Sequence, residues 1–156
     1  MHSNQTKILH VDSRYAVHKY GNDTLEFYVP FIGENTYPGE VFKNIVSVEL
    51  HAIKFQGTFG DNAEPYIVLD IGELENTTFS NVPEANRAFA VVHTPHDNFN
   101  KLIKFDYHDK VRYFDPPLNS LNRLSFKFYH QGGARIPIDY FRGFVTMIFK
   151  IVLKTT

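Results

Sequence analysis

The sequence predicts an all-β protein, and more narrowly an eight-stranded antiparallel jelly-roll sandwich in a single domain. The chain has 156 residues, the length of one ordinary domain. It contains 15 Phe and 9 Tyr, residue types that favour strands, and no long segment has the apolar spacing of a helix. Long connections between the predicted strands suit crossings between sheets, which favours a jelly roll over an up-and-down barrel.

Each predicted strand is a short run in which apolar and polar side chains alternate. In residues 25–29, Leu25, Phe27 and Val29 share one face, and Pro30 ends the run. The other runs lie at residues 46–52, 67–71, 87–92, 101–106, 111–114, 123–129 and 145–153, with a possible extra arm at residues 7–11.

Two of these runs depart from simple alternation. In the second run the apolar phase passes from Leu50 to Ile53, which predicts a β-bulge between these residues. The last run is apolar on one face and half apolar on the other, with Ile148 and Val152 on the mixed face. We expect that strand to be covered on both sides or to lie at an interface.

The domain organisation is simple, because no linker, internal repeat or low-complexity segment interrupts the chain. We assign residues 1–23 to an N-terminal arm and lead-in, and residues 24–153 to the single jelly-roll domain. Residues 7–11 and the tail at residues 154–156 are candidate arms that become ordered on contact with neighbouring molecules.

Composition excludes several classes of function. The net charge of −1 disfavours a dedicated nucleic-acid-binding protein, which would carry a basic excess. With no Cys, the chain has no disulfide, thiolate metal site or cysteine nucleophile, which favours folding inside the cell. The first residues lack the basic and apolar regions of a signal peptide, and no apolar run is long enough for a membrane span.

Histidines are the first candidates for chemistry. His93, His96 and His108 lie close together in the sequence and are weak candidate metal ligands of the cupin type. Pro95 interrupts the first pair, which sits in a polar stretch, so we expect solvated loop histidines and no bound metal or cofactor.

Other polar and aromatic side chains also give weak signals. Asp70, Glu73 and Glu75 surround a strand end, where we expect them to be solvated rather than to form a glycosidase pair. No nucleophile elbow, P-loop or dinucleotide fingerprint is present, so we do not expect an enzyme. Tyr28 and Tyr129 could stack on sugars or bases, but cross-strand packing is the more common role for such residues.

A proline-rich segment is the most distinctive part of the chain. Pro116 and Pro117 lack amide donors, so Asp115-Pro116-Pro117 is predicted to be a stiff spacer that no strand can pair with fully. Leu118 then offers an apolar anchor, and residues 119–120 are predicted to turn into the next strand.

Arg123 follows this segment closely. We predict that it pairs with Asp115 or a nearby backbone carbonyl and so locks the corner. On this interpretation the segment specifies the fold and is not a binding site.

Three segments resemble a known protein family. Residues 11–14 (VDSR) and 46–50 (VSVEL) are similar to the opening of small capsid proteins of large icosahedral DNA viruses. Residues 113–124 (YFDPPLNSLNRL) resemble the late segment of single jelly-roll minor capsid and penton proteins of nucleocytoplasmic large DNA viruses, the algal-virus and giant-virus group. The order and spacing are similar from about residue 11 to residue 152.

The resemblance implies a structural protein of the virion with no catalytic residue or cofactor. It would occupy the five-fold vertices or cement the shell, and its partners would be itself, as a pentamer or trimer, and other capsid proteins including the major capsid protein. Direct nucleic-acid binding is not expected. A lectin-like carbohydrate-binding sandwich and a cupin-like metal-binding protein remain open as alternatives.

Overall fold

The computed structural model describes residues 3–18, 26–55, 66–74, 80–83, 85–93, 103–104, 110–129 and 145–155. Within these ranges the chain is almost entirely β, with strands and short 3₁₀ turns at Ser13–Tyr15 and Gly72–Leu74. The strands form two antiparallel sheets, which confirms the predicted all-β sandwich.

The first sheet contains the four longest described strands and one short strand. They are β1 (Asn4–Asp12), β4 (Phe42–Phe55), β7 (Ile103–Lys104), β8 (Val111–Leu121) and β10 (Val145–Lys154). The order is β1-β10-β4, and both β7 and β8 pair with the far side of β4. β10 is therefore an interior strand, whereas β1 forms one edge of this sheet.

The second sheet contains the remaining strands of the described residues. They are β2 (Val17–His18), β3 (Glu26–Pro30), β5 (Tyr66–Ile71), β6 (Ala90–His93) and β9 (Arg123–Tyr129), in the order β2-β3-β9-β5-β6. Most consecutive strands lie in different sheets, and the resulting strand orders are those of a jelly roll.

The strand count exceeds the predicted eight by one when β7 and β8, which follow the same side of β4, are counted together. Because β7 and β8 were predicted as separate strands, the strands beyond the predicted eight are β1, where an arm was expected, and β2, which the sequence analysis did not predict. The described part of β2 has 2 residues, too few for an alternating pattern to be visible.

Most predicted strands are found, with three corrections. The strand predicted at residues 87–92 begins only at Ala90, because Arg87 has a positive φ of 66° and belongs to a turn. The segment expected as an arm at residues 7–11 is part of β1, which pairs with β10 from Asn4 to Asp12. The strand expected to stop before the prolines instead continues through them as β8. Pairing with β4 resumes after the prolines, so the donor-free residues interrupt the ladder without ending the strand.

The predicted bulge in β4 is confirmed. Ala52 lies opposite Ile148 and Leu50 lies opposite Phe149, so His51 has no residue opposite it on β10. The extra residue restores the inward orientation, and both Leu50 and Ile53 are fully buried in the core.

The main core lies between the sheets and combines Phe with Ile, Leu and Val side chains. Phe149 of the first sheet lies 6.1 Å from Phe126 of the second and 6.3 Å from Phe89, measured between ring centroids. A smaller cluster lies on the outer face of the second sheet, where Ala85 and Ala88 pack with Val68. Burial of a face of each strand against the other layer explains why the alternating pattern specifies this fold.

Candidate functional site

The proline-rich segment lies in an interrupted part of the β4–β8 ladder. Tyr113 is opposite Ser47 and Leu118 is opposite Ile45, so the residues between Tyr113 and Leu118 pass a single residue of β4. This arrangement confirms the predicted unpaired spacer, because prolines cannot donate to the ladder. Leu118 is partly buried against the main core, as predicted for an apolar anchor.

The turn predicted at residues 119–120 is wrong. Ser120 pairs with Lys43 and Leu121 pairs with Phe42, so β8 runs on to Leu121. The break comes at Asn122, whose carbonyl oxygen accepts a hydrogen bond from the Phe31 amide at 2.9 Å.

Arg123 pairs with a different residue from the predicted one. Its Nε atom lies 3.6 Å from Oε2 of Glu73, and its guanidinium carbon lies 5.7 Å from the ring centroid of Tyr28. Arg123 begins β9 in the second sheet, whereas Asp115 belongs to β8 in the first sheet. The lock predicted between Arg123 and Asp115 is therefore corrected to a contact within the second sheet.

The sequence analysis expected Glu73 to be solvated, but in the structure its carboxylate is hydrogen-bonded to β9. Its Oε1 accepts a hydrogen bond from the Ser125 amide at 2.5 Å, and its Oε2 accepts one from the Ser125 hydroxyl at 2.8 Å. The side chain thereby connects the 3₁₀ turn Gly72–Leu74 to the neighbouring strand. Glu75 lies outside the residues that the structure describes.

A polar cavity of about 390 Å³ lies on the outer face of the second sheet and includes Glu73 and Arg123 in its lining. The strand register places Lys127 opposite Glu26 on one side and opposite Asp70 on the other. The cavity therefore combines carboxylates and cations, and the ring of Tyr28 also lines it. This arrangement offers hydrogen-bond donors, acceptors and an aromatic surface together.

The two tyrosines singled out from the sequence have different surroundings. Tyr28 lines the polar cavity, whereas Tyr129 packs against the cluster of Val68, Ala85 and Ala88. The packing interpretation is thus confirmed for Tyr129.

The histidine candidates are only partly within the described ranges. His93 is exposed at the end of β6, and its ring lies 5.9 Å from that of Tyr66. His96 and His108 lie outside the described residues. Among the residues that the structure describes, no group of His, Cys, Asp or Glu is arranged to hold a metal ion.

Exposed apolar side chains gather near the C-terminal end of β1, a feature that the sequence analysis did not identify. Tyr15 is 87% exposed, Tyr37 is 82% exposed and Val17 is also exposed. These residues, called the end patch below, line a cavity of about 530 Å³ together with Val29. Alternation does not identify such a patch, because Tyr15 and Tyr37 lie in the connections between strands.

The base of the end patch is fixed by Asp12. Its Oδ1 accepts hydrogen bonds from the Arg14 amide at 2.9 Å and from Arg14 Nε at 3.1 Å, and Oδ2 accepts one from the guanidinium at 2.7 Å. These hydrogen bonds from Arg14 hold the pKa of the Asp12 carboxyl below its ordinary value. The capped turn Ser13–Tyr15 then carries Tyr15 to the surface.

The outer face of the first sheet is partly apolar, as its sequence predicted. Ile8 on β1 is 61% exposed, and Ile148 and Val152 on β10 are half-buried. No further layer of described residues packs as a sheet on this face.

Comparison with protein-family models finds no match, and comparison with curated proteins also finds none. Among the described residues, no helix has the length and apolar character needed to cross a membrane.

Proposed function

We propose that the protein is a structural subunit of an icosahedral large DNA virus capsid, a penton or a minor capsid protein. It acts by contact with copies of itself and with the major capsid protein, in a virion assembled inside the host cell. The jelly-roll strand order supports this proposal, since viral capsid domains use that architecture. The resemblance of residues 113–124 to minor capsid and penton proteins supports it independently.

The end patch is the observation that carries the proposal. Side chains as exposed as Tyr15 and Tyr37 leave large apolar surfaces in water around a shared cavity. Tyr is enriched at the cores of protein interfaces, where its ring is buried and its hydroxyl is hydrogen-bonded. A net charge of −1 also favours close packing of copies, because repulsion between them is small.

The mass of the purified protein tests the proposal. We expect a closed oligomer, a pentamer for a vertex position or a trimer for a cementing position, measured by mass photometry. The double substitution Tyr15→Ser/Tyr37→Ser should dissociate it, because the variant loses the apolar contact without changing the core. Tyr113→Ser is the matched control, since Tyr113 is 48% exposed and lies on β8, away from the end patch.

Two results of these measurements would count against the proposal. A protein that stays monomeric alone and also fails to bind the major capsid protein would overturn the assignment. A pentamer or trimer that survives the double substitution would assign the ring contact to another surface.

The polar cavity on the second sheet supports another candidate function, carbohydrate binding. Sugars are bound through hydroxyl groups that need donors and acceptors, and through apolar ring faces that stack on aromatic side chains. Lys127, Asp70 and the ring of Tyr28 supply these groups in one cavity. On a glycan array, specific retention that Tyr28→Ala removes and His93→Ala preserves would support this function. The absence of specific retention would reject it.

A further inference from the structure

We propose that β1 is a docking edge for a second copy of this chain. The β1 strands of two copies would pair antiparallel about a two-fold axis at Ile8, which joins their first sheets into one continuous sheet. This inference rests on the edge of β1 and does not depend on the capsid proposal.

The backbone of β1 shows which groups face the open edge. The Ser3 carbonyl oxygen accepts a hydrogen bond from the Thr155 amide at 3.1 Å, in the register that continues along β1 and β10. In an antiparallel pair, the residues that exchange hydrogen bonds alternate along the strand. Residues 5, 7, 9 and 11 therefore direct their amides and carbonyls to β10, whereas Thr6, Ile8 and His10 direct theirs to the open edge.

This edge is exposed along most of its length. Asn4, Thr6, Ile8 and His10 are all exposed, and β1 pairs only with β10 among the described strands. β1 has 9 residues, with no proline and no interruption in its register with β10. A long regular edge of this kind is a template for another strand.

The other edges of the sheets are protected in ways that β1 is not. In the second sheet the described parts of the edge strands β2 and β6 have 2 and 4 residues, whereas β1 has 9. The far edge of the first sheet contains Pro116 and Pro117 in β8 and an irregular register with β4. Short strands, prolines, bulges and charged side chains, especially Lys, are the features that prevent edge-to-edge association. β1 has no proline or bulge, and the charge of its one lysine is paired, because Lys7 Nζ lies 3.8 Å from Glu40 Oε1.

The edge is also complementary to itself. With the axis at Ile8, the Ile8 side chains of the two copies lie opposite each other, and Thr6 of one lies opposite His10 of the other. Asn4 then lies opposite Asp12, so every outward-facing residue meets another and no like charges are opposed. The side chains of Asn4, Thr6, Ile8 and His10 are exposed, and Ile8 would lose its exposure in the pair.

A charge exchange at Ile8 tests this arrangement. We expect the wild-type protein to form β1-linked pairs in sedimentation velocity over a concentration series. Ile8→Lys and Ile8→Glu should each raise the dissociation constant of the pair at least about tenfold, because like charges then lie opposite each other. An equimolar mixture of the I8K and I8E chains should restore pairing, because only the mixed pair brings opposite charges together across the axis.

Tyr113→Lys is the matched control, since it adds the same charge to β8 at the far edge of the same sheet and should leave pairing unchanged. Absence of pairing in the wild-type protein, or failure of the mixture to restore it, would overturn the inference. His10 and Asp12 belong to both surfaces, but Ile8 does not line the end-patch cavity, so rings formed through that patch remain measurable in I8K. Failure of the capsid proposal and failure of the β1 pairing are therefore separate results.

Discussion

Asp12 shows how a single side chain shapes a surface. It accepts the Arg14 amide at 2.9 Å and thereby caps the turn that presents Tyr15. We expect Asp12→Ala to lower the free energy of unfolding by about 1 kcal/mol, the usual effect of losing such a cap. Asp12→Asn should cost less, because the amide oxygen keeps the cap and only the charge is lost. Urea denaturation measures both, and equal losses for the two variants would contradict the capping role.

The charge of Asp12 makes the free energy of unfolding depend on pH. Because the hydrogen bonds from Arg14 lower its pKa in the folded protein below the ordinary 3.8, folding favours the ionised form. The resulting stabilisation is present above pH 3.8 and is lost as the pH falls through the lower, folded-state pKa. The difference in unfolding free energy between wild type and Asp12→Asn should shrink over that range. A difference that stays constant there would contradict this assignment.

Glu73 makes partly buried hydrogen bonds to Ser125, whereas its ion pair with Arg123 is largely exposed. We expect Glu73→Ala to cost about 2 kcal/mol, because the Ser125 amide and hydroxyl both lose their acceptor. Arg123→Ala should cost at most about 1 kcal/mol, since the Arg123 side chain is 57% exposed and its pair is weakened by solvent. Denaturation of both variants, with Glu73→Gln as the control of equal size, gives the order. A larger loss of unfolding free energy in Arg123→Ala than in Glu73→Ala would contradict this interpretation.

The sequence indicates that Arg123 belongs to a structured corner, but not which residue it contacts. Asp115 is the nearest acidic residue before it in the chain, whereas Glu73 becomes a neighbour only when β5 and β9 pair. Contacts between distant segments depend on sheet order, and alternation within one strand does not specify sheet order.

Single-residue deletions in β4 test the role of its bulge. Deleting His51 removes the residue that has no opposite on β10, so the inward-facing residues on both sides keep their orientation. We expect this deletion to lower the melting temperature by about 5 °C or less. Deleting Glu49, which lies opposite Lys150, should prevent cooperative folding because it turns the neighbouring core residues outward. Thermal unfolding followed by circular dichroism measures both, and similar melting temperatures for both deletions would contradict the account.

The strands that sequence reasoning located best are those with a long buried face. β9 and β10 alternate between buried and half-buried positions along most of their length, and both were predicted closely. β1 was expected as an arm. In the structure only Leu9 and Val11 among its apolar residues are buried, so its buried face is short. An edge strand needs fewer apolar contacts than a central one, so its pattern is short and easily mistaken for a flexible segment.

At the scale of the whole molecule, the fold and the surface place different demands on the sequence. Burial between the sheets requires the alternation that predicts a sandwich, and Phe126 and Phe149 meet across the layers as a result. Surface function leaves a weaker signature, because Tyr15 and Tyr37 lie outside the strands and β1 is open only once β10 has paired. The sequence therefore predicts the layers well and the contact surfaces poorly.

The central claim is that this sandwich has a β1 edge that is paired on one side and open to a second copy on the other. Residue-resolved amide hydrogen exchange at low and high protein concentration tests it most directly. We expect the Lys7 and Leu9 amides to be protected at both concentrations, and the Ile8 and His10 amides to be protected only at the high one. Fast exchange throughout β1, or an Ile8 amide that exchanges rapidly at both concentrations, would contradict the account.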